Sequence, residues 1–503
     1  MKFLAHRNIL LFAIITTIGL FVVDFLIYGS GISGDTTEYL SLAGDVYKGK
    51  FPYSASYLPG FPIIVGLTAK ITSIKIFQAA SLWIGLFYVI NLIYIGKITY
   101  YLNKIGKITK TGSNFLFFIL ISWWSFKIQK ATHADAMYFS LLIILTYYLI
   151  KAFENNKSKY FVIVGFVLAI MAITKYNSFV LLPILGLIII MRKIDYKKKI
   201  ILLFFSISPP FIMILIWKTL NGRFIHALKL NNYEHSKNNT LEVSKTFYLN
   251  ISETGKGLIE ILVNPFFGRY LNPDFGFLVG LTLISFLFFA IYKLRKSQQE
   301  MMFLIFATVY ILSLIVILSI NMVAEINIRT LITFNFFVFL VIGIYILKNK
   351  LNFLGGLLVV LLFSNNVLLE KKWLTETSKK NSFKYEYSKN NQFININKSF
   401  LKSIEHKEVI SNDAESLMFH LNYQKHIKKF NTRAVFSKGK FHKVTPYILK
   451  NILEKLKLVL QNDGIVIFSN KMSNNDKIIC KNLFDNKYHF KYYNDLIVIS
   501  KNN

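Results

Sequence analysis

The stretch FPIIVGLTAKITSI (residues 61–74) decides the topology of this chain. It is apolar, yet it falls short of the roughly 20 residues a helix needs to cross a bilayer. Counted as a span, it reverses the direction of every helix after it. Taken as a re-entrant or interfacial helix, it leaves that order intact. The basic residues further along choose between the two.

The chain has 503 residues, 54% of them hydrophobic, and the apolar residues recur in blocks of about the length that spans a bilayer. About eleven spanning helices are expected, at 8–29, 76–102, 113–126, 136–153, 160–174, 178–191, 200–217, 275–293, 301–322, 331–347 and 353–369. With the N-terminus in the cytoplasm, alternate loops carry Lys104, Lys107 and Lys110; Lys157 and Lys159; Arg192, Lys193, Lys197, Lys198 and Lys199; Lys293, Arg295 and Lys296; then Lys348 and Lys350. All these short basic loops then share one side, as the positive-inside tendency requires. A span at 61–74 would put them outside, so that stretch is expected not to cross. The first block follows Lys2 and Arg7 and continues to about Gly29 without a small-residue cleavage site, so an uncleaved first helix is expected rather than a signal peptide.

Three polar regions are left outside: a first loop at 30–75, a long loop at 218–274, and everything from 370 on. The membrane part is thus 1–369 and the tail 370–503 a separate domain. Its β-rich runs EVISN, GIVIFSN and DLIVIS alternate with the amphipathic segments DAESLMFHL and TPYILKNILEKLKLVLQ, the pattern of a small α/β fold. The net charge of +33 is spread over loops and tail with no groove or stacking motif, which argues against nucleic acid and for anionic lipid headgroups and lipid-linked substrates. A lone cysteine, Cys480, excludes an internal disulfide.

Acids are concentrated where a site on the outer face would need them. Asp35 and Glu38 lie three apart and, with Tyr39, Leu42 and Val46, suit an amphipathic surface helix. An acid at a helix start is also a good cap, and Ser33 or Asp35 could serve as one. Gly and Pro residues around them, Gly31 to Pro62, provide turns that can fold the loop over a bundle. Asp135 opens a later span in the next outer loop, preceded by His133; it too is either a cap or half of an acid pair able to deprotonate a hydroxyl or amine. His133 is a base, a metal ligand or simply a polar neighbour.

Cations on the same side complete the set. Lys175 in AITKYNSFVLLPILGL and Arg329 in AEINIRTLITFNFF oppose the positive-inside trend. Snorkelling would account for either one, and an anionic phosphate held by an Arg fork and a Lys point charge would account for both. Arg269 and Asp274, in NPFFGRYLNPDFGF, stand where the long loop re-enters the membrane and suggest an ordered lid.

Taken in order, GDTTEYLSLAGDVYKGKFPYSASYLPGFP, THADAMYF, TKYNSFVLLP and INIRTLITF resemble the GT-C membrane glycosyltransferases, closest to the branch of protein O-mannosyltransferases and lipid A aminoarabinose transferases. The resemblance covers roughly residues 1–369 and implies a polytopic α-helical GT-C-like membrane protein with a small extracytoplasmic C-terminal α/β domain. It implies Asp35 as catalytic base and Asp135 as the second acid, with Lys175, Arg329 and Arg269 on the phosphate of a polyprenyl-phosphate sugar donor. Tyr39, Tyr57 and His133 would line the substrate pocket. The family's adjacent acids are spread here over Asp35-Thr36-Thr37-Glu38, so Asp35 or Glu38 can be the base, and the signature for a divalent metal is present only in part. Leu58-Pro59 replaces the family's Pro-Pro. The acceptor, a lipid, glycan or protein, is left open. A polymerase or ligase of lipid-linked glycans would instead lean on Arg223 and Arg269, and a transporter on charges such as Asp24 within a span.

Overall fold

The computed structural model describes residues 34–54, 57–122, 134–155, 157–192, 194–221, 240–262, 271–294, 298–320 and 330–380. Toward the C-terminus it describes 404, 407–412, 427–429, 434–437, 440–443, 446–468, 472–484, 488–493 and 496–501, and near the start the isolated positions 15, 18 and 19. Apart from those three positions the expected first span at 8–29 lies outside the described residues, as do residues 123–126 of the span expected at 113–126.

Helix α1 covers Gly34–Tyr47 and α2 covers Gly60–Thr72. The deciding stretch is therefore a helix of 13 residues. At 1.5 Å per residue it is about 20 Å long, shorter than a hydrocarbon core of about 30 Å, and it belongs with the shorter apolar helices of this chain. It stops where Ser73 takes a left-handed φ of 57°, and the next helix starts three residues later. Phe61, Val65 and Ala69 form its buried stripe, while Leu67 and Ile71 are exposed on the other face.

The chain continues through α3 (Ile76–Lys104), α4 (Lys110–Ser122), α5 (Ala134–Asn155) and α6 (Ser158–Ala172). A 3-10 turn at Tyr176–Val180 leads into α7 (Leu181–Met191), α8 (Tyr196–Asn221), α9 (Thr240–Leu262) and α10 (Pro273–Lys293). Then come α11 (Gln298–Ile320), α12 (Ile332–Lys348) and α13 (Asn352–Lys380). Five helices among the described residues, α3, α5, α8, α10 and α11, are long and apolar enough to cross a membrane. Shorter apolar helices occupy Ser158–Ala172, Ser178–Met191, Ile332–Lys348 and Asn352–Asn365, each within or overlapping an expected span. This is the build of a multi-pass helical membrane protein.

The expected long loop at 218–274 needs correction: it contains α9, packed along α10. Its sequence, TLEVSKTFYLNISETGKGLIEIL, is too polar to register as a span. What makes it pack is backbone proximity. A Cβ on Gly255 would overlap the Gly276 carbonyl, and one on Gly280 would overlap the Ile251 carbonyl. Gly276 and Gly280 form a GxxxG face, the arrangement that lets helices approach closely. The polar side chains that a hydropathy count penalises are then satisfied inside: buried Asn250 donates through Nδ2 to Ser319 Oγ of α11 at 3.0 Å. Asn272 caps α10 by accepting from the Asp274 N–H, with Pro273 in the first helical position.

Beyond α13 the tail forms strands β1 (Val409–Ser411), β2 (Lys428–Lys429), β3 (Ala434–Ser437) and β4 (Lys440–Lys443), helix α14 (Pro446–Gln461), β5 (Ile465–Phe468), helix α15 (Asn474–Phe484), β6 (Tyr488–Tyr493) and β7 (Leu496–Lys501). The main sheet runs β2-β1-β5-β7-β6, parallel on the β1 side and antiparallel at β7 and β6; β3 and β4 pair separately. Central β5 is buried at every position, as a strand covered on both faces must be. Leu456 and Leu460 of α14 and Ile479 and Leu483 of α15 pack onto it. Ser473 and Asp476 cap α15 reciprocally, each side chain accepting from the other's N–H. Strands β1, β5 and β7 fall in the expected runs at 408–412, 464–470 and 495–500, and α14 in the expected amphipathic segment at 445–461; 413–421 lies outside the described residues.

Two compact units result: one of residues 1–36, 53–61 and 81–373, the other of 37–52, 62–80 and 374–503.

Candidate functional site

Asp135 stands in the first turn of α5, a position that suits an acid because the unpaired N–H groups and the helix dipole favour negative charge there. Its side chain is nevertheless 3% exposed, and a buried carboxylate needs a partner. That partner is Lys175, whose Nζ donates to Asp135 Oδ1 at 2.5 Å. Lys175 reaches it from the turn after α6, where its backbone is extended (φ −152°, ψ 133°). The turn is held by the Lys175 N–H donating to Met171 O and by Ser178, whose N–H and hydroxyl both donate to Lys175 O. The lysine side chain is 18% exposed, so the pair is half-closed to solvent rather than sealed. The neighbouring Tyr176 hydroxyl is pushed up to about 12 by burial.

Aromatic and hydroxyl groups surround the pair. The Lys175 ammonium lies 5.5 Å from the Tyr138 ring centroid, within cation–π range. Tyr138, one turn beyond Asp135 and fully buried, shares a 2.7 Å hydrogen bond with Thr333 Oγ1 of α12. Its hydroxyl is also close to that of Tyr310 on α11, which donates to the Thr330 carbonyl at 2.8 Å. The first turns of α5 and α12, the turn after α6 and the middle of α11 thus meet near one ion pair.

The end of the first loop arrives at the same place. The Gly60 N–H donates to Ile173 O at 2.7 Å, and a Cβ on Gly60 would lie 2.7 Å from Thr174 Oγ1. Only a glycine fits there. Leu58 and Pro59 are buried beside it, and half-buried Tyr57 is tied back by its N–H to Ser54 Oγ.

Of the expected site residues, the structure therefore joins Asp135 to Lys175 and brings the segment holding Tyr57 to the turn before Lys175. Asp35 is placed by backbone only, in the first turn of α1. Glu38 and Tyr39 follow on α1, half-buried and within the second compact unit. His133, Arg269 and Arg329 lie outside the described residues, as do Asp24 and Arg223; Thr330, the residue after Arg329, is the one pinned by Tyr310. Among the described residues no three His, Cys, Asp or Glu side chains gather as a metal site would need.

Sequence reasoning missed Tyr138, Tyr310 and Thr333, which read as ordinary residues of apolar helices. The usable signal was the spacing of Tyr138 from Asp135, which puts an aromatic hydroxyl on the same helix face as the acid. It also missed the Tyr248 and Asp274 contact, in which the phenol donates to the carboxylate while its ring stacks on Phe277 at 4.8 Å. That hydrogen bond holds the Tyr248 hydroxyl above its ordinary pKa. Comparison with protein-family models and with curated proteins finds no match for this sequence.

Proposed function

We propose that this chain is a glycosyltransferase of the cytoplasmic membrane that moves a monosaccharide from a polyprenyl-phosphate donor to a lipid, glycan or protein acceptor at the outer face. The observation that carries this is the Asp135 and Lys175 pair, 2.5 Å apart and lined by Tyr138, Thr333 and Tyr310. It sits at helix ends, where a lipid-borne anionic group meets water, rather than in mid-helix, where a transporter needs its charges. The GT-C-like arrangement adds about eleven crossings, with α2 lying in the interface on its exposed Leu67 and Ile71 flank and the α/β tail outside.

In this reaction Asp35 takes the acceptor proton as the acceptor oxygen or nitrogen bonds to the anomeric carbon. The bond from that carbon to the phosphate oxygen breaks on the opposite face, with inversion, and the electron pair leaves with the polyprenyl phosphate. The departing charge is met by Lys175 and Arg329, joined by Arg269 from the long outer region. The ion pair refines one role: Asp135 positions Lys175. An ammonium carries three donors, so it can serve a second anion while keeping its bond to the carboxylate.

The test is transfer from a radiolabelled polyprenyl-phosphate hexose or pentose in membranes, read as label leaving the lipid. Asp35→Asn should lower turnover about 100-fold or more, the range of a lost general base. Turnover equal to the unaltered chain's would rule out Asp35, and the same result for Glu38→Gln as well would remove the reading. A glycan polymerase would show the loss at Arg223 and Arg269 instead.

A further inference from the structure

A groove of about 640 Å³ runs between α7 and α8, and none of its lining residues belongs to the ion-pair site. Its walls are apolar, Leu187, Ile190, Phe204 and Phe211 among them, and these four are each about half exposed or more. Ser208 contributes the one hydroxyl on the lining and spends it on the Phe204 carbonyl. Such a trough suits a hydrocarbon chain and offers nothing to a polar ligand.

Charge is gathered at one end of it. Lys199 Nζ donates to the carbonyl of Ile190, a groove residue, at 2.7 Å, which fixes an ammonium at the mouth. Arg192 follows the last turn of α7, its guanidinium stacked 4.6 Å over Phe153 and donating through Nη2 to Phe153 O. Its Nη1 is buried without a hydrogen-bond partner. Lys197 and Lys198 are in the first turn of α8. Glu154 is the acid that acts on Arg192, and Asp195 directly precedes α8. The opposite end, toward Lys175, is separated by the length of α7, about 16 Å.

We infer that this groove holds one acyl chain of an anionic phospholipid, with its phosphate at Lys199, where α8 begins with Lys197 and Lys198. A hydrocarbon slot alone would take any lipid. The cations at its mouth add a preference for negative headgroups, each contributing a factor of about five near a membrane surface. The groove is a site for a resident lipid, separate from the sugar donor and independent of the proposed transfer.

Native mass spectrometry of the full chain in mild detergent tests this, with phosphatidylglycerol or phosphatidylcholine of identical acyl chains added. One phosphatidylglycerol should be retained with about tenfold preference. Lys199→Gln combined with Lys198→Gln should bring the two lipids toward parity, and Ser208→Phe, which adds bulk to the groove lining, should reduce retention of both. Lys293→Gln, a basic change elsewhere, should leave the preference intact. Equal retention by the unaltered chain, a preference unchanged in the double variant, or displacement of both phospholipids by polyprenyl phosphate would overturn the inference.

Discussion

Replacing Lys175 with methionine keeps the bulk of the side chain and removes the charge opposite Asp135. At 2.5 Å and an effective dielectric of 20, the Coulomb attraction lost is about 6–7 kcal/mol. Desolvation of the two ions offsets several kcal/mol of that, so the net loss is the penalty of leaving a buried carboxylate alone, about 3–5 kcal/mol. Because the lysine is 18% exposed, water relieves part of it, while losing the contact with the Tyr138 ring adds about 0.5–1 kcal/mol. About 3 kcal/mol is expected, a lowering of the apparent Tm in detergent by about 3 °C. Asp135→Asn together with Lys175→Met should cost only about 1 kcal/mol, since no charge is then stranded, giving a coupling of at least about 2 kcal/mol once the loss from Asp135→Asn alone is added. Intrinsic-fluorescence melts of the three variants measure this. A double variant whose loss equals the sum of the single losses would refute the pair as a coupled unit.

Gly60→Ala forces a methyl against Thr174 Oγ1 and Ile173 O and should cost about 1–3 kcal/mol by the same melts, whereas Gly356→Ala, whose nearest neighbour is 3.6 Å away, should change little. Gly255→Leu should drive α9 from α10, seen as loss of a cysteine cross-link engineered between them; an unchanged cross-link would contradict their close packing. Burial, reinforced by Asp476, pushes the Cys480 thiol up. The thiolate fraction at pH 8 is then smaller in the folded chain than in the unfolded one, so alkylation should be several-fold slower without urea than with it, and the gap should narrow as pH rises. Equal rates at pH 8 would contradict the buried thiol.

How much could be read in advance differed by element. Helices α3, α5, α8, α10 and α11 were legible because a long apolar run has one stable outcome in a membrane. Strands β1, β5 and β7 were legible because β-branched runs with turn residues around them pair as sheets. Helix α9 was not, because its stability comes from the Gly255, Gly276 and Gly280 contacts, which link residues separated by a stretch the sequence presents as loop. At the site, Asp135 and Lys175 stood out singly, as charges at the ends of apolar segments. Their union did not, because the two residues are 40 apart in the chain.

The sequence by itself determined that this is a membrane-inserting helical chain with a small α/β tail, and that 61–74 is a short apolar segment set apart from the long ones. Those properties follow from hydropathy, length and the local cost of unpaired backbone in lipid. Tertiary structure alone decided that Asp135 answers Lys175, that Tyr138, Tyr310 and Thr333 close around them, and that Gly60 brings the first loop to the turn beside them. The physical reason is that a charge or a hydroxyl is cheap at a helix end on its own terms. Its partner is chosen only when packing brings distant segments within 3 Å, where burial makes an unmatched group costly.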